Sequence, residues 1–423
     1  MNHRQASGSG KLLLVATQHW PFSARLATAC AAAGWQVEAV APRGHVLGAS
    51  AAVLRLHPYS LLNPLAALIA AIEQGAPDFI IPCDDSAVVR LHRVAQQRPA
   101  LRALIAHSLG DPEACLEATR REALMEAARA EQVRIPETAE IRSLADLQAW
   151  QQRQPGWPLV LKADGTFGGT GVAIIRNAEE LEPAFRAVSA KPSALRILKR
   201  LLVNHDHFLL DQLRDRQSQG LIAQQYIAGR PANRAVACWQ GEVLAGGSVE
   251  ALATLNATGA ATLIQPIAHA EMEQAARRLV RRLGLSGLCG FDFMLEAGSG
   301  RAYLIEVNPR ATPVSALALG PGCDLVAALS RQLLGRAIAD RPALTTRGQI
   351  AMFPGTWLKN PKDPALASAH HDVPWEQPAL VQACIDFDYA GTPFWQRWAQ
   401  RRRQGDTAPQ LRAPDGRVYR RSR

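Results

Sequence analysis

Short apolar runs alternate with helical periodicity over the first quarter of the chain. Residues 11–17 are apolar, 22–33 form an Ala-rich helical stretch closed by Gly34, and 35–41 are apolar again. Strand, helix and strand in that order predict a β-α-β unit and with it a parallel sheet. A helical segment at 64–74, a buried-type strand at 78–82 and a helix at 86–97 continue the alternation. Asp84 and Asp85 fall just past that last strand. Loops there line sites in open α/β sheets, so the two aspartates either meet a substrate or cap the following helix.

Residues 113–131 read as one long helix rich in Ala, Glu and Arg, and Pro136 marks a boundary after it. Strands are predicted at 159–163 and 172–176 around a glycine-rich loop, and again at 221–227, 234–238 and 242–249. A helix at 271–283 precedes two apolar strands, 290–296 and 302–307, which flank the Gly-Ser-Gly turn at 298–300. Residues 190–220 read as mainly helical without an assignable role. Past about 340 the chain is rich in Pro and Trp without clear periodicity, and residues 1–10 read as a flexible polar leader.

Composition narrows the class. With 423 residues, 48% hydrophobic and 20% charged, the chain has the makeup of a soluble protein of two or three domains. No apolar run approaches the roughly 18 residues of a membrane span, which predicts a cytoplasmic protein without membrane partners. Seven cysteines lie far apart with no CxxC pair, which argues against a zinc ribbon or a disulfide framework. His205-x-His207 and His370-His371 lack a partner set at metal spacing. The net charge of +10 is concentrated at the end, where residues 397–423 carry nine arginines against Asp406 and Asp415. That reads as a solvated, partly disordered tail. Nucleic acid is therefore not an expected partner, apart from what the tail itself attracts.

Two constellations carry chemistry. Gly165, Gly168, Gly169 and Gly171 lie between two strands, with Lys162 at the end of the first. Glycines let backbone amides approach phosphates, and a lysine ahead of the loop suits a strand–loop–strand flap over a nucleotide. A Walker A loop would place its lysine after the glycines, and a Rossmann loop would open a helix. The second constellation is Gly290-Phe-Asp-Phe-Met-Leu-Glu followed by Tyr303-Leu-Ile-Glu-Val-Asn-Pro-Arg. Period-two alternation puts Glu306 and Asn308 on one face, and pairing of the strands brings Asp292 to them. Carboxylates in apolar strands call for a counterion, and magnesium suits such oxygen donors. Arg310 stands just beyond, placed to neutralise a transferring phosphoryl group.

Together these segments resemble the ATP-grasp superfamily, which includes carbamoyl phosphate synthases, biotin carboxylases and D-alanine ligases. The most specific motif is Glu306-Val-Asn308-Pro-Arg310, downstream of the Lys162 loop and 14 positions beyond Asp292. The resemblance implies an α/β fold in which a Rossmann-like pre-ATP-grasp domain (11–112) precedes an ATP-grasp domain (113–335, lid about 136–225) and an extension (336–423). It implies ATP and Mg2+ as cofactors, with Mn2+ as a substitute, and metal held by Asp292, Glu306 and Asn308. Lys162 resembles the lysine on the ATP phosphates, Arg121 (or Arg120) the basic residue before the lid, and Gly168, Gly169 and Gly171 the flap. Gln224, Gln225, Tyr226 and Ile227 look like the hinge whose backbone reads adenine. Family members often carry an acidic ribose ligand shortly after that hinge, but residues 229–234 contain no carboxylate. Glu250 lies where carbamoyl phosphate synthases have a similar Ser-Ile-Glu, and is either a site residue or a solvent-facing one. The implied activity is a ligase that phosphorylates a substrate carboxylate to an acylphosphate for attack by an amine or similar nucleophile. The alternative is a non-catalytic ATP-binding regulator or scaffold. Family analogy adds a homodimer.

Overall fold

In the computed structural model, residues 9–112, 114, 120–154, 156–163, 171–190, 220–255, 259–346, 348–387 and 409–421 are described. Residues 1–8 of the expected leader, 165–170 of the expected glycine loop and most of the 190–220 segment, including His205 and His207, lie outside them.

The chain opens with β1 (Lys11–Val15), α1 (Phe22–Ala32), β2 (Gln36–Ala41), β3 (Val53–Pro58), α2 (Pro64–Gly75), β4 (Phe79–Pro82), α3 (Asp85–Gln97) and α4 (Pro99–Leu109). The four strands form a parallel sheet in the order β3-β2-β1-β4. Leu12–Val15 are fully buried because helices cover both faces, which is why β1 reads as an unbroken apolar run. Leu12 and Leu14 enter the core with α1, and Leu13 and Val15 the core with Leu68, Ile72, Val88 and Leu91 of α2 and α3. Edge strand β3 went unread because its alternation is inverted, with Leu54 and Leu56 exposed and His57 buried.

The helix expected over 113–131 is interrupted, with Pro112 and Ala114 helical and Arg120 not. Within the described residues α5 spans Arg121–Ala130, and Arg120 ahead of it is extended (φ −91°, ψ 116°). From the first turn of α5 the Arg121 guanidinium donates to the Ala163 carbonyl.

A four-stranded antiparallel sheet follows, built from β5 (Thr138–Ile141), β6 (Leu159–Ala163), β7 (Val172–Ile175) and β8 (Leu221–Gln225) in the order β5-β8-β6-β7. Together with α6 (Leu144–Gln152) and α7 (Ala178–Ser189) it closes a small core of its own around Leu147, Trp150, Leu161 and Ala223. A capping box between Ser143 and Asp146 starts α6.

The largest sheet has seven strands. In chain order they are β9 (Gly229–Trp239), β10 (Glu242–Thr254), β11 (Ala261–Ile267), β12 (Gly287–Glu296), β13 (Ala302–Asn308), β14 (Ile350–Ala351) and β15 (His370–His371). Their spatial order is β13-β12-β9-β10-β11-β14-β15. β9 starts five residues before its apolar run because it pairs with β12 down to Gly229↔Glu296. One face of β9, with Ala235 and Ala237, joins the core of α1 and α9 (Leu325–Leu334). The other, with Val236 and Cys238, packs with Phe291, Phe293 and the buried stripe Met272, Ala276 and Leu279 of α8 (Ala270–Arg282).

The last segment packs back onto the first sheet's helices. Arg25 pairs with Asp372, and Gln377 bonds to Thr28 and Ala51. Residues 409–421 are not a solvated tail. β16 (Gln410–Arg412) and β17 (Val418–Arg420) form a hairpin that buries Leu411 and Tyr419 in the core shared with α10 (Pro378–Asp386). Apolar side chains inserted between the arginines overrule the charge pattern there. Residues 388–408 lie outside the described residues. Among those described, no helix is long and apolar enough to cross a membrane.

Candidate functional site

Strands β12 and β13 pair antiparallel, with Asp292 directly opposite Glu306 and Gly290 opposite Asn308. Directly paired residues share a face, so the carboxylates and the amide converge as their alternation predicts. Asp292 is gripped by two amides. Asn308 Nδ2 donates to its Oδ2 at 2.8 Å, and Asn233 Nδ2, from the in-register position on β9, donates to its Oδ1 at 2.7 Å.

Arg310 ties this pair of strands to the first sheet. Its Nε donates to Asp85 Oδ1 at 2.7 Å, Nη2 to Asn308 Oδ1 at 2.9 Å and Nη1 to the Ala311 carbonyl at 3.2 Å. Burial opposes its charge, but Asp85, Asp292 and Glu306 together push its pKa above the ordinary arginine value.

From the opposite side, Lys162 ends β6, and its Nζ donates to Gln224 Oε1 at 2.7 Å. Burial and then the nearby Arg121 charge pull the Lys162 pKa down to about 8, against the opposing pull of Glu306 and Asp292. Arg121 lies 3.8 Å from Glu306. Burial raises the carboxyl pKa of both Asp292 and Glu306, although hydrogen bonds and cations resist it. Three cations thus face three carboxylates, Asp85, Asp292 and Glu306, across the meeting point of three sheets. The carboxylates are compensated by the protein's own cations and amides, so a bound cation is not required to hold them apart, as their apolar strands alone suggested. Among the described residues, no group of three or more His, Cys, Asp or Glu side chains converges as a metal cage. Two carboxylates with carboxamides nevertheless suit magnesium, which keeps waters and substrate phosphates in its shell.

The glycine loop is read from its ends. Lys162 pairs with Val172, and the Ala163 amide donates to the Gly171 carbonyl at 2.9 Å, so the strands close a hairpin around it. Gly171 has φ 69°, open to glycine at no steric cost; Gly168 and Gly169 are outside the described residues. Gln224 and Gln225 end β8, and Tyr226 and Ile227 follow it. Gln224 faces Lys162, while the Gln225 amide donates to the Glu137 carbonyl at 2.8 Å. Gly229, where the chain leaves this link, approaches β12 so closely that a Cβ would stand 1.9 Å from the Leu295 oxygen.

Of the two roles left open by the sequence, the structure shows the cap. Asp84 caps α3 and holds Thr17, whereas Asp85 faces Arg310. Glu250 is neither solvent-facing nor in the cluster. It pairs with Ala232, one residue out of phase with the Asn233–Asp292 rung, which places it on the reverse face of the sheet, buried and ion-paired with Arg230 at 2.7 Å. Sequence reasoning missed Asn233, registering only that 229–234 lacks a carboxylate. Its period-two placement on a strand beside Asp292 was a signal only once β9 was known to start at Gly229.

Residues 121–314 match the model of the ATP-grasp domain family. Residues 121–314 of this chain are an ATP-grasp domain. It is 25% identical over 247 residues to the carbamoyl phosphate synthase large chain of Thermus thermophilus, covering 58% of this chain and 22% of that protein. It is 24% identical over 221 residues to the arginine-specific large chain of Geobacillus stearothermophilus, covering 52% and 20%. The chain therefore spans about a fifth of the length of these curated relatives. Among solved structures, the biotin carboxylase domain of Hydrogenobacter thermophilus 2-oxoglutarate carboxylase, in complex with MgADP, ADP and bicarbonate, superposes with a TM-score of 0.57 at 15% identity, covering 79% of this chain and 72% of that one. N5-carboxyaminoimidazole synthetase from Staphylococcus aureus superposes with a TM-score of 0.56 at 12% identity, covering 80% and 81%. These likenesses establish the ATP-grasp fold, with a parallel α/β sheet ahead of the grasp.

Proposed function

We propose that the protein is an ATP- and Mg2+-dependent ligase that activates a carboxylate as an acylphosphate for attack by an amine or similar nucleophile. The observation that carries this reading is the balanced cluster of Lys162, Arg121 and Arg310 against Asp85, Asp292 and Glu306, held where the flap hairpin meets β12 and β13. Nucleotide binding alone needs a phosphate contact. It does not need a guanidinium shared between an aspartate of the first sheet and the amide of Asn308.

Asp292, Glu306 and Asn308 would hold Mg2+, which when bound neutralises phosphate charge and draws the phosphoryl oxygens into line. Lys162 would donate from its buried ammonium to the phosphates, exchanging Gln224 for them. Its lowered pKa leaves it protonated over much of the neutral range and lets the incoming phosphate charge complete its ionisation. Arg310 would orient the transferring group through a fork already fixed by Asp85 and Asn308, so no reorganisation is spent at the transition state. The flap would exclude water that hydrolyses an acylphosphate. Gln225, Tyr226 and Ile227 would line the adenine. The carboxylate and its nucleophile would lie between Asp85 and the loop after Arg310. The biotin carboxylase and N5-carboxyaminoimidazole synthetase likenesses support carboxylate chemistry of this class. A homodimer, as in the biotin carboxylase domain dimer of Hydrogenobacter thermophilus, and a cytoplasmic setting complete the reading.

The test is Mg2+-dependent ADP release over pools of small carboxylates with amine acceptors. A pool that triggers release in wild type and not in Lys162→Ala or Glu306→Gln supports the ligase. If Glu306→Gln releases ADP at the wild-type rate, the assignment fails.

A further inference from the structure

Asn233 has one amide end satisfied and one not. Its Nδ2 donates to Asp292, which as a carboxylate is an acceptor and so fixes the orientation of the amide. The carbonyl oxygen, Oδ1, is buried and has no hydrogen-bond partner among the described residues. A buried acceptor left unmade costs about 1–3 kcal/mol. It sits on the same rung of the sheet as Asp292, which is itself opposite Glu306. An acceptor oxygen orphaned beside two carboxylates is an arrangement that a hard cation resolves, because it takes carbonyl and carboxylate oxygens together.

We infer that Asn233 Oδ1 is an additional oxygen ligand for the divalent cation, on the side of Asp292 away from Asn308; this rests on the metal-nucleotide reading above. The choice of amide over carboxylate follows from the rung. A second carboxylate directly opposite Asp292 would repel it in the cation-free protein, whereas the amide holds Asp292 in place through Nδ2 and keeps one oxygen for the metal. A neutral ligand leaves the three-against-three charge balance of the cluster intact.

The test is Mn2+ binding followed by electron paramagnetic resonance in the presence of ADP, with metal-free ADP affinity measured by calorimetry on the same samples. Asn233→Leu, which removes the oxygen, is expected to weaken Mn2+ at least tenfold with metal-free ADP affinity unchanged within twofold. Asn233→Asp, which keeps the oxygen and adds charge, is expected to tighten Mn2+ at least threefold while lowering the melting temperature of the metal-free protein. An Asn233 that only positions Asp292 through Nδ2 would weaken Mn2+ binding in both variants, since neither keeps that donor, and an Asn233 of no consequence to the metal would leave Mn2+ affinity within twofold of wild type in both; either result overturns the inference. An equal loss of metal-free ADP affinity in Asn233→Leu also overturns it, assigning the oxygen to the nucleotide. If Asn233→Leu does not fold, the sign of the change in Asn233→Asp decides: unchanged or weaker Mn2+ binding overturns the inference. Wild type that binds no Mn2+ with ADP removes the functional reading as well, an outcome distinct from wild-type binding with indifferent variants.

Discussion

Replacing Asp84 by alanine separates architecture from chemistry at two adjacent aspartates. The Asp84 carboxylate, 1% exposed, accepts from the Thr17 amide and hydroxyl, both at 2.6 Å, from the Ala87 amide at 2.9 Å and from the Gln18 amide at 3.1 Å. Alanine leaves the Thr17 amide and hydroxyl buried without that acceptor, while the Ala87 amide keeps the Asp84 backbone carbonyl at 3.1 Å and the half-buried Gln18 amide reaches water. Two orphaned donors at about 1–3 kcal/mol each give a loss centred near 4 kcal/mol. Burial raises the Asp84 pKa despite its four hydrogen bonds, so part of that gain is already spent holding the charge, and about 3 kcal/mol is the net expectation. Urea unfolding at pH 7 measures it. Asp85→Asn is the matched comparison, since it keeps size and an acceptor for Arg310 while removing charge. It should lose less stability than Asp84→Ala and more ADP release per folded molecule. If Asp84→Ala loses under about 1 kcal/mol yet abolishes ADP release, Asp84 contacts substrate and the division of roles is wrong.

Arg310→Lys keeps a charge but loses the fork to Asp85 and Asn308, and ADP release at saturating substrate should fall about a hundredfold or more; steady-state kinetics showing under threefold loss would remove Arg310 from phosphoryl transfer. His45 is buried, its pKa lowered to about 3 from 6.5 by burial and then by His19, and its Nδ1 accepts from the Leu47 amide. The unfolded chain takes up that proton first, so stability is full above pH 6.5 and drains as pH falls toward 3. By pH 4.5 the two-unit interval amounts to about 3 kcal/mol, and His45→Asn, which can still cap, should show a correspondingly shallower fall in unfolding free energy between pH 7 and 4.5. Equal slopes would show that His45 is already protonated in the folded protein. Gly229→Ala puts a Cβ 1.9 Å from the Leu295 oxygen, and calorimetry should find at least about 2 kcal/mol lost from the β9–β12 pairing.

Alternation and punctuation made much of this protein legible. The fully apolar β1, the Gly-Ser-Gly hairpin of β12 and β13, and the period-two placement of Glu306 and Asn308 are local properties, and the structure repeats them. The family followed from the order of those motifs. Elements with weak local patterns escaped: exposed β3, the four-residue β5, and β11 with Pro266 near its end are strands because a neighbour supplies their hydrogen bonds.

The sequence by itself determined the residue types and spacings that chemistry needs, because a strand's two faces are set by counting. Tertiary structure alone decided which groups share a site. Arg310 and Asp85 are 225 positions apart and meet only where β13 ends against the first sheet. One residue of register puts Glu250 behind the sheet and Asn233 beside Asp292. Side-chain type is local, but compensation of buried charge is a property of the packed interior, where each group answers to whatever the fold brings opposite it.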